Sequence, residues 1–293
     1  MKDLILPNTC INLHVIQDKG WFEMLVKQLK KMYSMVSIEE LYSYYYEGIP
    51  LKNACHITFD DGDRSVYEKA FPILKKYNVP ASIYVSPKSI VRQENFWFQE
   101  IRGYDETVLR NVIIELGLYE RDIPNSAIKP LLKELDVDMI WEIIHNYRKR
   151  TNTDPKPCFN MNEGELLELN ESELVSIGAH TLDHPILKNE SDERATKEIS
   201  DSVEWLGELL NKPIYHFAYP NGRYSEDFGE REMRVLDNNG IRLSFSTDKG
   251  TFSLDNNPLK IPRSGITIGG RFHIMTKLIM GSKWDTVRSM IKK

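Results

Sequence analysis

The chain has 293 residues, 41% hydrophobic and 28% charged, a balance that supports the packed core of one large α/β domain or two small ones. A net charge of −5 gives no basic excess for nucleic acid, and no apolar run approaches the roughly 18–20 residues of a membrane span. The apolar piece after Met1 is three residues long and Pro7 stops it, so no secretory signal is read there and a cytoplasmic location is expected. Cys10, Cys55 and Cys158 are an odd set without a C-x-x-C pair, which argues against a disulfide framework or a thiolate zinc site. Buried free thiols are expected instead.

From the N-terminus, Cys10–His14 reads as a strand ending at a histidine. Trp21–Met32 has helical apolar spacing. Ser37 with Glu40 predicts a capping box and a helix to Tyr46; the tyrosines 42, 44, 45 and 46 are assigned to packing rather than to sugar stacking. Ala54–Phe59 is an apolar strand. Ser65 with Glu68 predicts another capping box, on a helix to Lys76, and Val79–Val85 is a further strand. Strands alternating with helices through short links predict parallel pairing. Asn95–Arg150 is charged and helix-like, with Leu131–Ile144 as its clearest amphipathic helix. It reads as a helical insertion, about residues 95–170 with its connection, on one strand–helix loop of a single domain spanning 1–293. A lid over the site and plain scaffolding both suit it. Asn162 and Glu165 open a helix to Leu169. Then come a strand at Ile177–His180, a helix from Ser191 to Leu210, a strand at Ile214–Tyr219 and a helix at Ser225–Asn238. Strands at Ile241–Thr247 and Lys260–Arg263 follow, and a basic helical tail from Arg271.

The polar residues that stand out all fall at strand C-terminal ends: His14, Asp60, Asp61, His180, Asn221, Asp248 and Arg263. In an α/β barrel those ends share one face, where catalysis sits. A doubly wound sheet would gather them only at its switch point, with a glycine-rich phosphate loop that is missing here. The sequence therefore predicts a distorted (β/α) barrel.

Thr58-Phe59-Asp60-Asp61-Gly62 sets two like charges side by side where a strand ends, read alone either as a polar strand–helix turn or as a costly pair that a cation or a buried role uses. His180 and His184, at i and i+4, can reach one metal from a loop or a helix. With Asp61 they make three protein ligands with an open position, the arrangement of a catalytic metal. Asp60 is then a carboxylate beside an activated water, a general base.

These stretches, with Phe217-Ala218-Tyr219-Pro220-Asn221-Gly222, resemble the first three motifs of the polysaccharide deacetylases, carbohydrate esterase family 4 or the NodB homology domain. The resemblance runs from about Cys10 to the C-terminal region, apart from the insertion. It implies a metal-dependent hydrolase of N-acetylated sugars, with a divalent metal, most often zinc. It implies Asp60 as base and Asp61, His180 and His184 as metal ligands. The backbone N–H of Asn221 is implied as an oxyanion donor, with Tyr219 and His14 lining the site. Two departures stand out. The arginine that often orients the base is Ala218 here, and Arg263 is the candidate replacement. The Leu-x-His setting of the general acid is missing, and His273 reads as a surface or packing histidine. Trp97 and Trp141 are assigned to packing and Asp248 to a turn. A glycan-binding relative without turnover, and a hydrolase of another acyl bond, remain alternatives. No oligomeric state is read from the sequence.

Overall fold

The strands are short and almost wholly buried. They are β1 (Thr9–Leu13), β2 (Ser34–Met35), β3 (Ala54–Phe59), β4 (Ala81–Val85), β5 (Val175–Ala179), β6 (His216–Ala218), β7 (Leu243–Phe245) and β8 (Ser264–Gly265). The structure, a computed structural model, describes residues 6–119, 124, 127–270, 274 and 276. The strands lie in the order β7-β6-β5-β4-β3-β1-β8, with β2 paired to the start of β3. Every pairing is parallel, which fits strands covered on both faces.

The sheet curls until its ends meet on one segment. Ile261 exchanges backbone bonds with Ser244 and Ser246 beside β7, at 2.8 and 2.9 Å. Three residues later, Ser264 and Gly265 pair with Ile11 and Asn12 of β1. Residues 261–265 thus bridge both edges of a distorted β/α barrel. The strand expected at Lys260–Arg263 is displaced by a few residues: between the two pairings the Arg263 N–H bonds to the Asp248 carbonyl at 3.1 Å instead of to a strand.

Alternation assigns the faces. Ile11, Leu13, Ile57, Phe59, Ile83 and Phe217 pack under the surrounding helices, in one large core. Cys10, Tyr84, Ala218 and Phe245 point the other way, into the barrel, and form a second cluster there. The interior has little spare room: a Cβ on Gly178 would lie 2.3 Å from His216 Nδ1 and 2.6 Å from Tyr84. Cys10 and Cys55 are buried free thiols.

The helices are α1 (Lys19–Met32), α2 (Ile38–Tyr46), α3 (Phe71–Tyr77), α4 (Pro87–Arg92), α5 (Trp97–Glu100), α6 (Glu106–Glu115), α7 (Ile128–Leu132), α8 (Val137–Thr151), α9 (Glu163–Asn170), α10 (Asp192–Leu210) and α11 (Glu230–Asn238). Capping boxes form at Ser37–Glu40 and Asn162–Glu165. The one expected at Ser65–Glu68 does not. Ser65 Oγ instead accepts the Ile16 N–H at 2.8 Å, and Val66–Ala70 is a π-helical turn leading into α3. The helix expected over Leu131–Ile144 is two helices, because Asp136 caps α8 through the Met139 N–H. The helix expected from Ser225 begins at Glu230.

The segment between β4 and β5 carries α4 to α9. Helices α5 to α8 surround an apolar cluster of their own, including Leu109, Ile113, Leu132, Ile140 and Ile144. Leu166 and Leu169 of α9 belong to the barrel core, so the expected span of about 95–170 takes in a barrel helix at its end. Among the described residues, no helix is long and apolar enough to cross a membrane. The basic tail and His273 lie outside the described residues, apart from Ile274 and Thr276.

Candidate active site

The same alternation that packs β1, β3 and β5 turns Asn12, Thr58, Asp60 and His180 inward at the strand ends. Asp60 extends the ladder by one bond, its N–H to the Leu13 carbonyl at 3.0 Å. The chain then reverses through two left-handed residues, Asp61 at φ 71° and Gly62 at φ 69°. Left-handed backbone is rare for residues with a side chain and gathers at functional sites. Thr181 (φ 63°), His184 (φ 54°) and Asn221 (φ 56°) share it here.

Arg263 and Asp60 form a buried, bidentate ion pair. Nη1 donates to Oδ1 at 2.7 Å and Nη2 to Oδ2 at 2.8 Å. The rest of the guanidinium is also held: Nη1 donates to Thr58 Oγ1 and Nε to the Ser246 carbonyl, both at 3.0 Å. The rings of Tyr84 and Phe245 flank it at 5.8 and 5.7 Å. Asn12 Nδ2 adds a bond to Asp60 Oδ2 at 3.0 Å, and His14 Nε2 stands 4.0 Å from the same oxygen. Burial pushes the Asp60 carboxyl up, but Arg263 and His180 more than reverse that, and it sits below its ordinary value.

Beside this pair, Asp61, His180 and His184 bring one donor atom each to within 4.8 Å of one another. His180 Nε2 and His184 Nε2 lie 3.5 and 3.4 Å from Asp61 Oδ1. His180 Nδ1 is 2.6 Å from the Ala218 carbonyl, which makes Nδ1 the protonated nitrogen and leaves Nε2 its lone pair. Asp61 Oδ1 and His184 Nδ1 are buried without hydrogen-bond partners. Ligands about 2.0–2.1 Å from a tetrahedral zinc ion stand about 3.3–3.4 Å apart. The separations are too long for good hydrogen bonds and suit a shared ion. Burial pushes the Asp61 carboxyl up, and the two imidazoles carry it well below its ordinary value.

The loop carrying the histidines is braced from several sides. Thr181 Oγ1 accepts the His184 N–H at 3.1 Å. Glu198 Oε2, from α10, accepts the N–H groups of both Leu182 and Asp183 at 2.9 Å. Trp97 of the insertion donates its indole N–H to the His184 carbonyl at 3.1 Å. The Phe96 and Phe98 rings lie 5.1 and 4.8 Å from the His184 ring. Trp97 is thus mainly a packing residue, yet it holds a candidate ligand in place.

Together these groups line a cavity of about 250 Å³ with His14, Asn221, Thr247, Trp97, Phe98 and Lys133. The Asn221 backbone N–H has no acceptor among the described residues. Tyr219, expected to line the site, is not brought to it. Its hydroxyl donates to the Leu259 carbonyl at 2.8 Å, and its ring stacks on Phe228 at 3.5 Å. One residue past Ala218, it faces the helices. Trp141 lies on a different groove, with His145 and Arg148. Asp248 braces a turn through the Tyr224 N–H, at 3.3 Å, rather than a histidine. Asn12, Glu198 and Lys133 were not singled out from the sequence, and Thr58 was named only as part of its motif. Strand alternation was a signal for two of them, Asn12 in step with Cys10 and His14 along β1 and Thr58 in step with Asp60 along β3; Lys133 carried none.

The profile described as Polysaccharide deacetylase matches residues 48–111 and 122–241. That span takes in Asp60, Asp61, His180, His184 and Asn221 and omits His14 and Arg263. A Poly-beta-1,6-N-acetyl-D-glucosamine N-deacetylase of Staphylococcus aureus is 23% identical over 271 residues, 90% of this chain and 70% of the relative. The enzyme of the same name from Staphylococcus epidermidis is 22% identical over 228 residues, 78% and 60% of the two chains. Among solved structures, the Streptococcus pyogenes deacetylase PplD in complex with acetate is 19% identical, with a TM-score of 0.62 over 94% of this chain and 99% of that one. IcaB from Ammonifex degensii is 18% identical, with a TM-score of 0.61 over 93% and 96%. These two likenesses bear on the fold, whereas the profile spans more than half of the sequence: the chain belongs to the polysaccharide deacetylase family, hydrolases of carbon–nitrogen bonds other than peptide bonds.

Proposed function

We propose that this protein hydrolyses the N-acetyl amide of N-acetylglucosamine residues in a glycan, with Asp60 as the general base and Asp61, His180 and His184 as ligands of a divalent cation, zinc by the chemistry of the donor set. The observation that carries the reading is the buried Asp60–Arg263 pair next to that donor set. The names of the Staphylococcus relatives supply the substrate class. Bound there, the cation supplies Lewis acidity toward the acyl carbonyl and toward water.

The chain's own residues do the rest. A carboxylate offers about four lone-pair sites, two on each oxygen. Arg263 takes one on each oxygen of Asp60 and Asn12 takes the second on Oδ2. The remaining site, on Oδ1, receives the proton of the attacking water. Arg263 keeps Asp60 ionised in a setting whose burial opposes the charge, so the base is ready at neutral pH. Negative charge developing on the acyl oxygen is met by the Asn221 N–H, fixed by a left-handed turn. Trp97 and Phe98 close the apolar side of the cavity.

The test is acetate release from β-1,6-linked N-acetylglucosamine oligomers, alongside zinc titration by calorimetry. Asp61→Asn should lose zinc binding and activity together. Asp60→Asn should bind zinc like the wild type and lose at least about 100-fold in kcat, the lower range for a general base. Full activity of Asp60→Asn would overturn the mechanism, and a wild type that releases no acetate would overturn the function.

A further inference from the structure

The two candidate histidine ligands are held in different ways. A ligating histidine almost always donates its second ring N–H to a carbonyl, a carboxylate or water, which fixes its tautomer and its orientation. His180 follows that rule. Its backbone N–H continues the ladder to the Val85 carbonyl at 3.0 Å, and its Nδ1 meets the Ala218 carbonyl at 2.6 Å. His184 does not follow it. Its Nδ1 is buried with no hydrogen-bond partner among the described residues. Its backbone is left-handed at φ 54°, a conformation that persists only where the surroundings impose it. Something other than a ring hydrogen bond must keep this imidazole aimed at Asp61.

Three consecutive residues of the insertion lie against it. The Phe96 and Phe98 rings stand 5.1 and 4.8 Å from the His184 ring, tilted by 44° and 59°. They stack on each other at 5.6 Å and 19°. Contacts at such distances are directional as well as apolar. Trp97, between them in sequence, donates its indole N–H to the His184 carbonyl at 3.1 Å and so holds the backbone of the same residue. The trio is itself anchored on two sides. Toward the barrel, the Phe96 N–H donates to Gln99 Oε1 at 2.8 Å, and Gln99 Nε2 donates to Asn160 Oδ1 at 2.9 Å. Asn160 Nδ2 donates in turn to Ser89 Oγ on α4, at 2.6 Å. Toward the insertion, Trp97 belongs to the insertion's own apolar cluster, and the buried Glu100 pairs with Arg148 of α8 at 2.8 Å.

We infer that the insertion is a clamp on the metal centre: Phe96, Trp97 and Phe98 are positioning residues that keep His184 in its ligating orientation, in place of the hydrogen bond its ring lacks. This rests on the reading of Asp61, His180 and His184 as ligands of one cation. The packed rings exclude orientations that a free imidazole samples, so this ligand is ordered when the chain folds rather than when the ion arrives. The insertion thereby sets the affinity of a site to which it gives no ligand.

The test measures zinc affinity of the whole chain by competition with a chelating dye, without substrate. Phe98→Leu and Trp97→Phe should each weaken zinc binding about 10- to 100-fold, the range for residues that orient a metal ligand, whereas Phe98→Tyr keeps the ring and should stay within about 3-fold of the wild type. A double-mutant cycle identifies the ligand acted through. In a His184→Ala background, Phe98→Leu should change the residual affinity less than about 3-fold, and in a His180→Ala background it should cost as much as in the wild type. Equal losses in both backgrounds would assign Phe98 to general packing and overturn the inference. A wild type that binds zinc, with Phe98→Leu and Trp97→Phe unchanged, would sink this inference alone. A wild type that binds no zinc would sink the reading of the three ligands and this inference with it.

Discussion

Replacing Arg263 with methionine keeps much of the side-chain volume and removes the guanidinium. Four hydrogen bonds go with it: two to Asp60, one to Thr58 and one to the Ser246 carbonyl. Bonds to charged groups are worth about 1.5–3 kcal/mol each, so their bare sum is about 6–12 kcal/mol. That sum overshoots, because an absent guanidinium needs no desolvation, a relief of several kcal/mol. The net expectation is a loss of about 3–5 kcal/mol, the range for removing one partner of a buried pair. The effect on the base has a definite sign. Arg263 holds the Asp60 carboxyl below its ordinary value against the upward push of burial. Such a depressed group adds stability above its unfolded-state pKa, and that stability is lost as pH falls through the folded-state value. Without Arg263, burial prevails, Asp60 protonates at higher pH, and the acid limb of kcat/KM moves upward. Urea unfolding of the wild type, Arg263→Met, Asp60→Asn and the double variant completes the cycle. The double variant should be more stable than the summed single losses predict by about 2 kcal/mol or more, since it buries no unpaired charge. Additive losses, or an acid limb that stays in place in Arg263→Met, would refute the coupling.

Glu198 makes a second pH-dependent contribution. Burial, helped by Asp183, pushes its carboxyl from an ordinary 4.5 up to about 7. The folded state therefore holds a proton that the unfolded state releases between those values, and stability falls as pH rises through that window. Glu198→Gln should flatten that slope in calorimetric melts, and an unchanged slope would remove Glu198 as its source. Tyr219→Phe should cost about 1 kcal/mol of stability for its lost hydroxyl bonds and leave kcat/KM on the oligomer intact. A loss of about 10-fold or more in kcat/KM would return Tyr219 to the substrate's reach.

The legible parts of the sequence were those where local pattern and chemistry agreed. An apolar run ending in two aspartates, and a strand-like piece ending in a spaced histidine pair, picked out four residues that the structure brings to one cavity. Arg263 was read as the candidate cation at the end of the strand expected over Lys260–Arg263, and it does pair with Asp60. What failed was local reading of effects set by distant partners. Apolar spacing runs unbroken from Leu131 to Ile144, yet the helix stops between them. Asp136 caps the second piece from within, and Glu190, 53 residues further on, binds the Val137 N–H at 2.8 Å. Ser65 looked like a cap, but its hydroxyl serves Ile16, 49 residues earlier. Tyr219 was misjudged for a simpler reason. His216 and Ala218 point into the barrel, so alternation sends Phe217 and Tyr219 to the helices. The same rule, applied to β1, would have revealed Asn12.

The segment from Ile261 to Gly265 joins the two ends of the sheet and also delivers Arg263 to Asp60, a partner 203 positions away. Barrel closure and the delivery of a guanidinium to Asp60 are therefore made by one segment. A nascent chain that has not yet emitted this segment already contains Asp60, Asp61 and both histidines. It lacks the guanidinium that holds the Asp60 carboxyl below its ordinary value, so on the proposed reading a chain without this segment should be inactive.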